Sequence, residues 1–93
     1  MKNKIKKIHF IGIGGSGMSG IAEVMHNLGF NISGSDSASS KVTRELKQMG
    51  IKISFKHDAR NVNNADVIVI SSAISKRNVE LKAGKKKNIP IKS

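Results

Sequence analysis

The 93-residue chain has no cysteine, tryptophan or tyrosine, one proline and only six acidic residues. Each shortage excludes something. Without cysteine there is neither a disulfide framework nor a thiolate metal site. The three aromatics, Phe10, Phe30 and Phe55, stand in or beside apolar stretches rather than among the basic residues, which argues against a base-stacking platform. No run approaches the roughly 18 apolar residues needed to cross a membrane. The basic start, Met1-Lys-Asn-Lys-Ile-Lys-Lys7, is like the front of a signal peptide, but glycines break the apolar run behind it. No targeting segment and no membrane partner are expected, and a cytoplasmic location follows.

Against the few acids stand 17 Lys and Arg, for a formal net charge of +11. Lys2, Lys4, Lys6 and Lys7 lie near one end, and Lys82, Lys85, Lys86, Lys87 and Lys92 near the other. That placement reads as solvated surface lysine, and no specific nucleic-acid partner is expected. The apolar fraction of 38 %, taken with nine glycines, suits a globular chain. The length allows one domain, residues 1–93.

What is concentrated is glycine. In Gly12-Ile-Gly-Gly-Ser-Gly-Met-Ser-Gly20, Gly12, Gly14 and Gly17 have the G-x-G-x-x-G spacing. The first permits a tight turn out of a strand, the second a close backbone approach to pyrophosphate, and the third close packing of helix on sheet. The helix N-terminus behind them offers free N–H groups and partial positive charge to an anion.

The remaining pattern alternates strand and helix. Lys6–Ile11 reads as a first strand, with His9 a packed strand histidine rather than a metal ligand. Met18, Ile21, Ala22, Met25 and Leu28 give a helix over Ser16–Leu28, stopped by Gly29. Asn31–Ser35 is a second strand, and Asp36 at its end lies 19 residues beyond Gly17, a spacing that suits a ribose-binding carboxylate. Ser40 caps a second helix carrying Val42, Leu46 and Met49, which Gly50 ends. Ile51–Phe55 forms a third strand near an edge, and Asp58 caps a short helical turn through Val62. Val67–Ile70 is a buried fourth strand. The hydroxyl-rich loop Ser71–Ser75 follows, either donating to phosphate or sugar or serving as turn chemistry with Ser75 as N-cap. A third helix over Asn78–Lys87 and a strand beginning at Ile89-Pro-Ile91 complete the chain.

This order predicts an α/β domain: a Rossmann-like open parallel five-stranded sheet with helices on both faces. At this level the ligand stays open, because the glycine loop and Asp36 would serve the NAD of an oxidoreductase or a nucleotide-sensing regulator equally well.

The longer string is more particular. Ile8-His-Phe-Ile-Gly-Ile-Gly-Gly-Ser-Gly-Met-Ser-Gly-Ile-Ala-Glu23, with Leu28-Gly29, Ser33-Gly-Ser-Asp36, Ala65-Asp66 and Ser71-Ser-Ala-Ile-Ser75, resembles the amino-terminal domain of the Mur ligase family in its alanine-adding branch. The resemblance spans about Ile8 to Pro90. It implies a three-domain enzyme of cell-wall peptidoglycan synthesis that uses ATP and magnesium to join L-alanine to the lactyl carboxylate of UDP-N-acetylmuramate, through an acyl phosphate. The first domain would hold the UDP part of that substrate and no cofactor of its own. By position, Gly14, Gly15, Ser16 and Gly17 would surround the diphosphate, with Gly12 and Met18 in the same UDP-binding loop. Ser35 and Asp36 would face the uridine, His57 would lie beside the nucleotide, and Ser71, Ser72 and Ala73 would line the opposite wall.

Two departures stand out. Val79 occupies a place where the family commonly has proline, a mild change at the start of a helix. There is also no G-x-x-x-x-G-K-[ST] phosphate loop, since Gly84-Lys85 is followed by Lys86 and lacks the earlier glycine. The expectation is an excised or truncated substrate-holding piece, unable to ligate without its ATP-binding and C-terminal domains.

Overall fold

A computed structural model describes residues 4–93; Lys2 of the terminal lysines lies outside the described residues. The elements run β1 (Lys7–Ile11), α1 (Met18–Asn27), β2 (Asn31–Ser35), α2 (Lys41–Gln48), β3 (Lys52–Ser54), a 3-10 turn (Ala59–Val62), β4 (Val67–Val69), α3 (Val79–Lys86) and β5 (Ile91–Lys92). All pairings are parallel, in the order β3-β2-β1-β4-β5. Ile8 stands opposite Ile32 on one side and Val67 on the other. The Rossmann-like expectation holds.

Handedness explains the two layers. Right-handed crossovers running β1 to β2 to β3 put α1 and α2 on one face, and the reversed direction toward β4 and β5 puts the 3-10 turn and α3 on the other. The two-residue period of β1 feeds both. Ile8 and Phe10 join Ile32, Met18, Ala22 and Leu46 in one core. Ile11 joins Val62, Ile68 and Leu81 in the other.

The helix ends follow the local chemistry. Ser40 accepts the N–H of Thr43, and the Thr43 side chain answers to the Ser40 N–H, a reciprocal cap for α2. Gly29 and Gly50 end α1 and α2 at φ of 99° and 97°, a conformation that side chains disfavour.

Two expectations need correction, and one stripe is narrower than its periodicity: of the apolar positions at helical spacing in α1, Ile21 and Leu28 are 51 % and 69 % exposed, while Met18 and Ala22 are buried and Met25 packs against the core. Ser75 does not cap α3. Asn78 does, accepting from the N–H groups of Glu80 and Leu81, while Ser75 closes a turn onto the Arg77 N–H. The fifth strand begins at Ile91, after Pro90 rather than before it, and the Pro90 carbonyl still accepts from Ile68.

Candidate nucleotide site at the carboxyl ends of the strands

Connections leave β1 and β4 in opposite directions, so a crevice opens where their carboxyl ends diverge, the usual ligand position in open α/β sheets. The glycine loop leaves β1 on one side of it. Gly12 and Gly17 have φ of 77° and 78°, which L side chains resist. The loop is tied down at its start, where the N–H groups of Gly12 and Ile13 both reach the Ser35 carbonyl, at 2.8 and 3.0 Å. Gly15 closes back on the Gly12 carbonyl at 2.9 Å, and Met18 on Gly15 at 3.0 Å.

Asp36 completes the anchoring. Its Oδ2 accepts the Gly14 N–H at 2.8 Å, and its Oδ1 accepts from Ala38 at 3.2 Å. The N–H groups of Ser16 and Gly17 have no hydrogen-bond partner among the described residues. Both residues are exposed, and no side chain caps α1. Two unpaired donors at a helix N-terminus form an anion-binding arrangement.

Across the crevice stands the loop after β4. A Cβ placed on Gly12 would lie 2.9 Å from Ile74 Cδ1, so the two loops are in contact. Ser72 and Ala73 are exposed, and Ser71 accepts the Ala73 N–H at 3.3 Å. The structure therefore brings together the glycine loop, Asp36 and the hydroxyl loop.

Ser35 and His57 are placed differently. Ser35 is fully buried; its hydroxyl donates to Glu80 Oε1 at 2.7 Å and lies 3.1 Å from His57 Nδ1. The hydroxyl is thus engaged inside the protein. The His57 side chain is 25 % exposed, with Nδ1 also 3.4 Å from Glu80 Oε2.

Glu80 was not singled out by sequence, yet it is the hub of the polar interior. It is fully buried, and beyond Ser35 it accepts from His9 Nε2 at 2.7 Å, Asn61 Nδ2 at 2.8 Å and the Asp58 N–H at 3.1 Å. Burial pushes its carboxyl up, but the hydrogen bonds from His9, Asn61 and Ser35 and the charge of His9 outweigh this and hold it at about 2. His9 is itself buried, with Nδ1 on Ser33 Oγ at 2.7 Å. A signal existed. A histidine on a buried strand needs a polar partner, and Glu80 is the single acid between Asp66 and the end of the chain.

Elsewhere, a cavity of about 310 Å³ opens on the face under the 3-10 turn, beside Lys7, Asn31, Lys52 and Asn63. It is lined by none of the predicted site residues. Among the described residues no cluster of three acidic or histidine side chains could hold a metal ion.

An open parallel sheet with a glycine loop, a helix N-terminus and a hydroxyl loop at its switch point defines the Rossmann-like class of α/β domain. More narrowly, the chain belongs to the Mur ligase family, since the family model described as "Mur ligase family, catalytic domain" matches residues 7–93. It is 55 % identical over 91 residues to UDP-N-acetylmuramate–L-alanine ligase of Azoarcus sp. (strain BH72), covering 98 % of this chain and 20 % of that protein. The corresponding ligase of Buchnera aphidicola subsp. Baizongia pistaciae is 57 % identical over 89 residues, covering 96 % and 18 %. Among solved structures, UDP-N-acetylmuramate-alanine ligase from Thermotoga maritima superposes with a TM-score of 0.89 at 32 % identity, over 96 % of this chain and 20 % of that one. The chain thus spans about a fifth of the length of the relatives it matches.

Proposed function

We propose that this chain holds the UDP part of UDP-N-acetylmuramate within an ATP-dependent ligase that adds L-alanine during peptidoglycan synthesis. The observation that carries the proposal is the pair of unpartnered N–H groups at Ser16 and Gly17, at the uncapped start of α1, in the loop that leaves β1 at the switch point of the sheet. Two negatively charged phosphates suit such donors. The names of relatives near 55 % identity supply the substrate.

In this reading Gly12 to Met18 form the diphosphate cradle. Asp36 braces it through Gly14 and keeps lone pairs for a ribose hydroxyl. Ser71, Ser72 and Ala73 form the facing wall. Ser35 works through its carbonyl, which anchors the loop, and through His57, because its hydroxyl is engaged inside.

The role is recognition. The described residues do not fit an ATP–magnesium site: the chain has no G-x-x-x-x-G-K-[ST] string, and no metal-holding cluster is present among them. We assign ATP, magnesium and the joining chemistry to further domains of the ligase, working in the cytoplasm where its nucleotide substrates are made. No helix of the described residues is long and apolar enough to cross a membrane.

Each charge–dipole contact at a helix start contributes about 0.3–1 kcal/mol when exposed. A half-site built of these binds weakly, with a Kd of around 1 mM, equivalent to about 4 kcal/mol. Titration with UDP, followed by the amide resonances of residues 12–20, is the test. Progressive shifts in that loop are expected; a still loop overturns the proposal, and tighter binding of NAD than of UDP replaces it with an NAD-binding domain.

A further inference from the structure

Glu80 is fully buried, yet it is hydrogen-bonded to Ser35, the last residue of β2 and the neighbour of Asp36. Its Oε1 takes hydrogen bonds from His9 and Ser35, and its Oε2 from Asn61 and the Asp58 N–H. His57 approaches the same group, with Nδ1 at 3.1 Å from Ser35 Oγ and 3.4 Å from Glu80 Oε2.

Proton counting then decides the histidine. A hydroxyl has one hydrogen. Ser35 directs its hydrogen to Glu80, so toward His57 its oxygen can only accept. An ionised carboxylate can only accept as well. Both neighbours of Nδ1 are acceptors, and Nδ1 must therefore carry hydrogen. In the neutral ring Nε2 then keeps a bare lone pair. Nε2 has no hydrogen bond among the described residues, and no buried side-chain nitrogen or oxygen among them is left unpaired. It follows that Nε2 is on the solvent side of the partly exposed ring.

We infer that Glu80 is a positioning residue for the nucleotide site: with Ser35 it holds His57 in the Nδ1–H tautomer and so presents a hydrogen-bond acceptor, Nε2, to the ligand. The inference rests on reading His57 as part of that site. The group it would take is an N–H or O–H donor, such as the imide of a uracil ring or a ribose hydroxyl. A ligand offering only an acceptor there meets lone pair against lone pair.

An unconstrained neutral histidine favours hydrogen on Nε2, so the assigned form is diagnostic. Long-range nitrogen–proton correlation spectra of the wild-type chain, at a pH where the ring is neutral, are expected to show His57 with hydrogen on Nδ1 and a bare Nε2. Hydrogen on Nε2 overturns the inference, whatever UDP does. In Glu80→Gln the tautomer is expected to shift toward Nε2–H and the Kd for UDP to rise about fivefold, the worth of one ordinary hydrogen bond. A folded Glu80→Gln chain that keeps the Nδ1–H form also overturns it. If that variant does not fold, the wild-type spectrum decides alone. A correct tautomer with a glycine loop that ignores UDP upholds the positioning of His57 and overturns the proposed function instead.

Discussion

Asp36 and Gly14 are joined by a 2.8 Å hydrogen bond from backbone N–H to Oδ2, across 22 residues of sequence. The contact is close enough that the missing side chain of Gly14 is a structural requirement. A Cβ there would lie 2.9 Å from both Asp36 Oδ2 and Thr43 Cγ2.

Gly14→Ala is therefore expected to displace Asp36 and to destabilise the fold by about 1–3 kcal/mol, as forced overpacking does. Gly17→Ala is the contrast, because nothing lies within 4 Å of its Cβ position and the penalty comes only from φ +78°, about 1–2 kcal/mol. Urea unfolding of both, with UDP titration, checks this. Equal stability of Gly14→Ala and wild type would remove the packing argument.

Asp36→Ala leaves the Gly14 N–H without its acceptor. A hydrogen bond to a charged group contributes about 1.5–3 kcal/mol, and part of that loss should appear as weaker UDP binding as the loop loosens. Amide exchange at Gly14 should speed up in parallel. Unchanged exchange at Gly14 would mean that the loop holds its shape without the carboxylate.

Acid should unfold the protein partly through Glu80. Its pKa in the fold, about 2, is below its ordinary 4.5, so the stability it contributes is complete above about 4.5 and is lost as pH falls toward 2. Asp58, held at about 2 by the side-chain and backbone hydrogen bonds of Arg60, titrates in the same window, and Asp66 is lowered by the Lys6 and Lys7 N–H groups. Comparing stability against pH for wild type and Glu80→Gln isolates the Glu80 share. The wild-type curve should fall more steeply between pH 4.5 and 2; parallel curves would count against the network.

Gly34 and Ile13 couple β2 to the glycine loop. A Cβ on Gly34 would meet Ile13 Cδ1 at 2.5 Å, Cβ at 2.7 Å and Cγ2 at 2.9 Å. Gly34→Ala is expected to cost about 2–3 kcal/mol and to shift resonances from Ile13 onward even without ligand. A spectrum altered only around residue 34 would show that the strand absorbs the methyl group alone.

Elements and caps were legible wherever local chemistry decides them. Gly29, Gly50, Ser40 and Asp58 end or begin elements through their own backbone preferences or side-chain acceptors. The fates of Ile21 and Leu28 were not legible, because a helical stripe shows which residues share a side but not how wide a strip the sheet covers. Asn78 displaced Ser75 as a cap because both residues, three positions apart, have the chemistry, and the path of the chain selects one.

The glycine loop, with its spacing to Asp36 and its position after an apolar strand, was determined by the sequence alone: tight turns and close backbone approaches need particular residues at fixed offsets. The burial of Ser35 and the convergence of His9, His57 and Glu80 were decided only by the tertiary structure. His9 and Glu80 are 71 residues apart, and no local preference records such a distance. Only when β1, β2 and α3 pack together does the buried His9 acquire its carboxylate, and with it Ser35 and His57 come within reach of the same group.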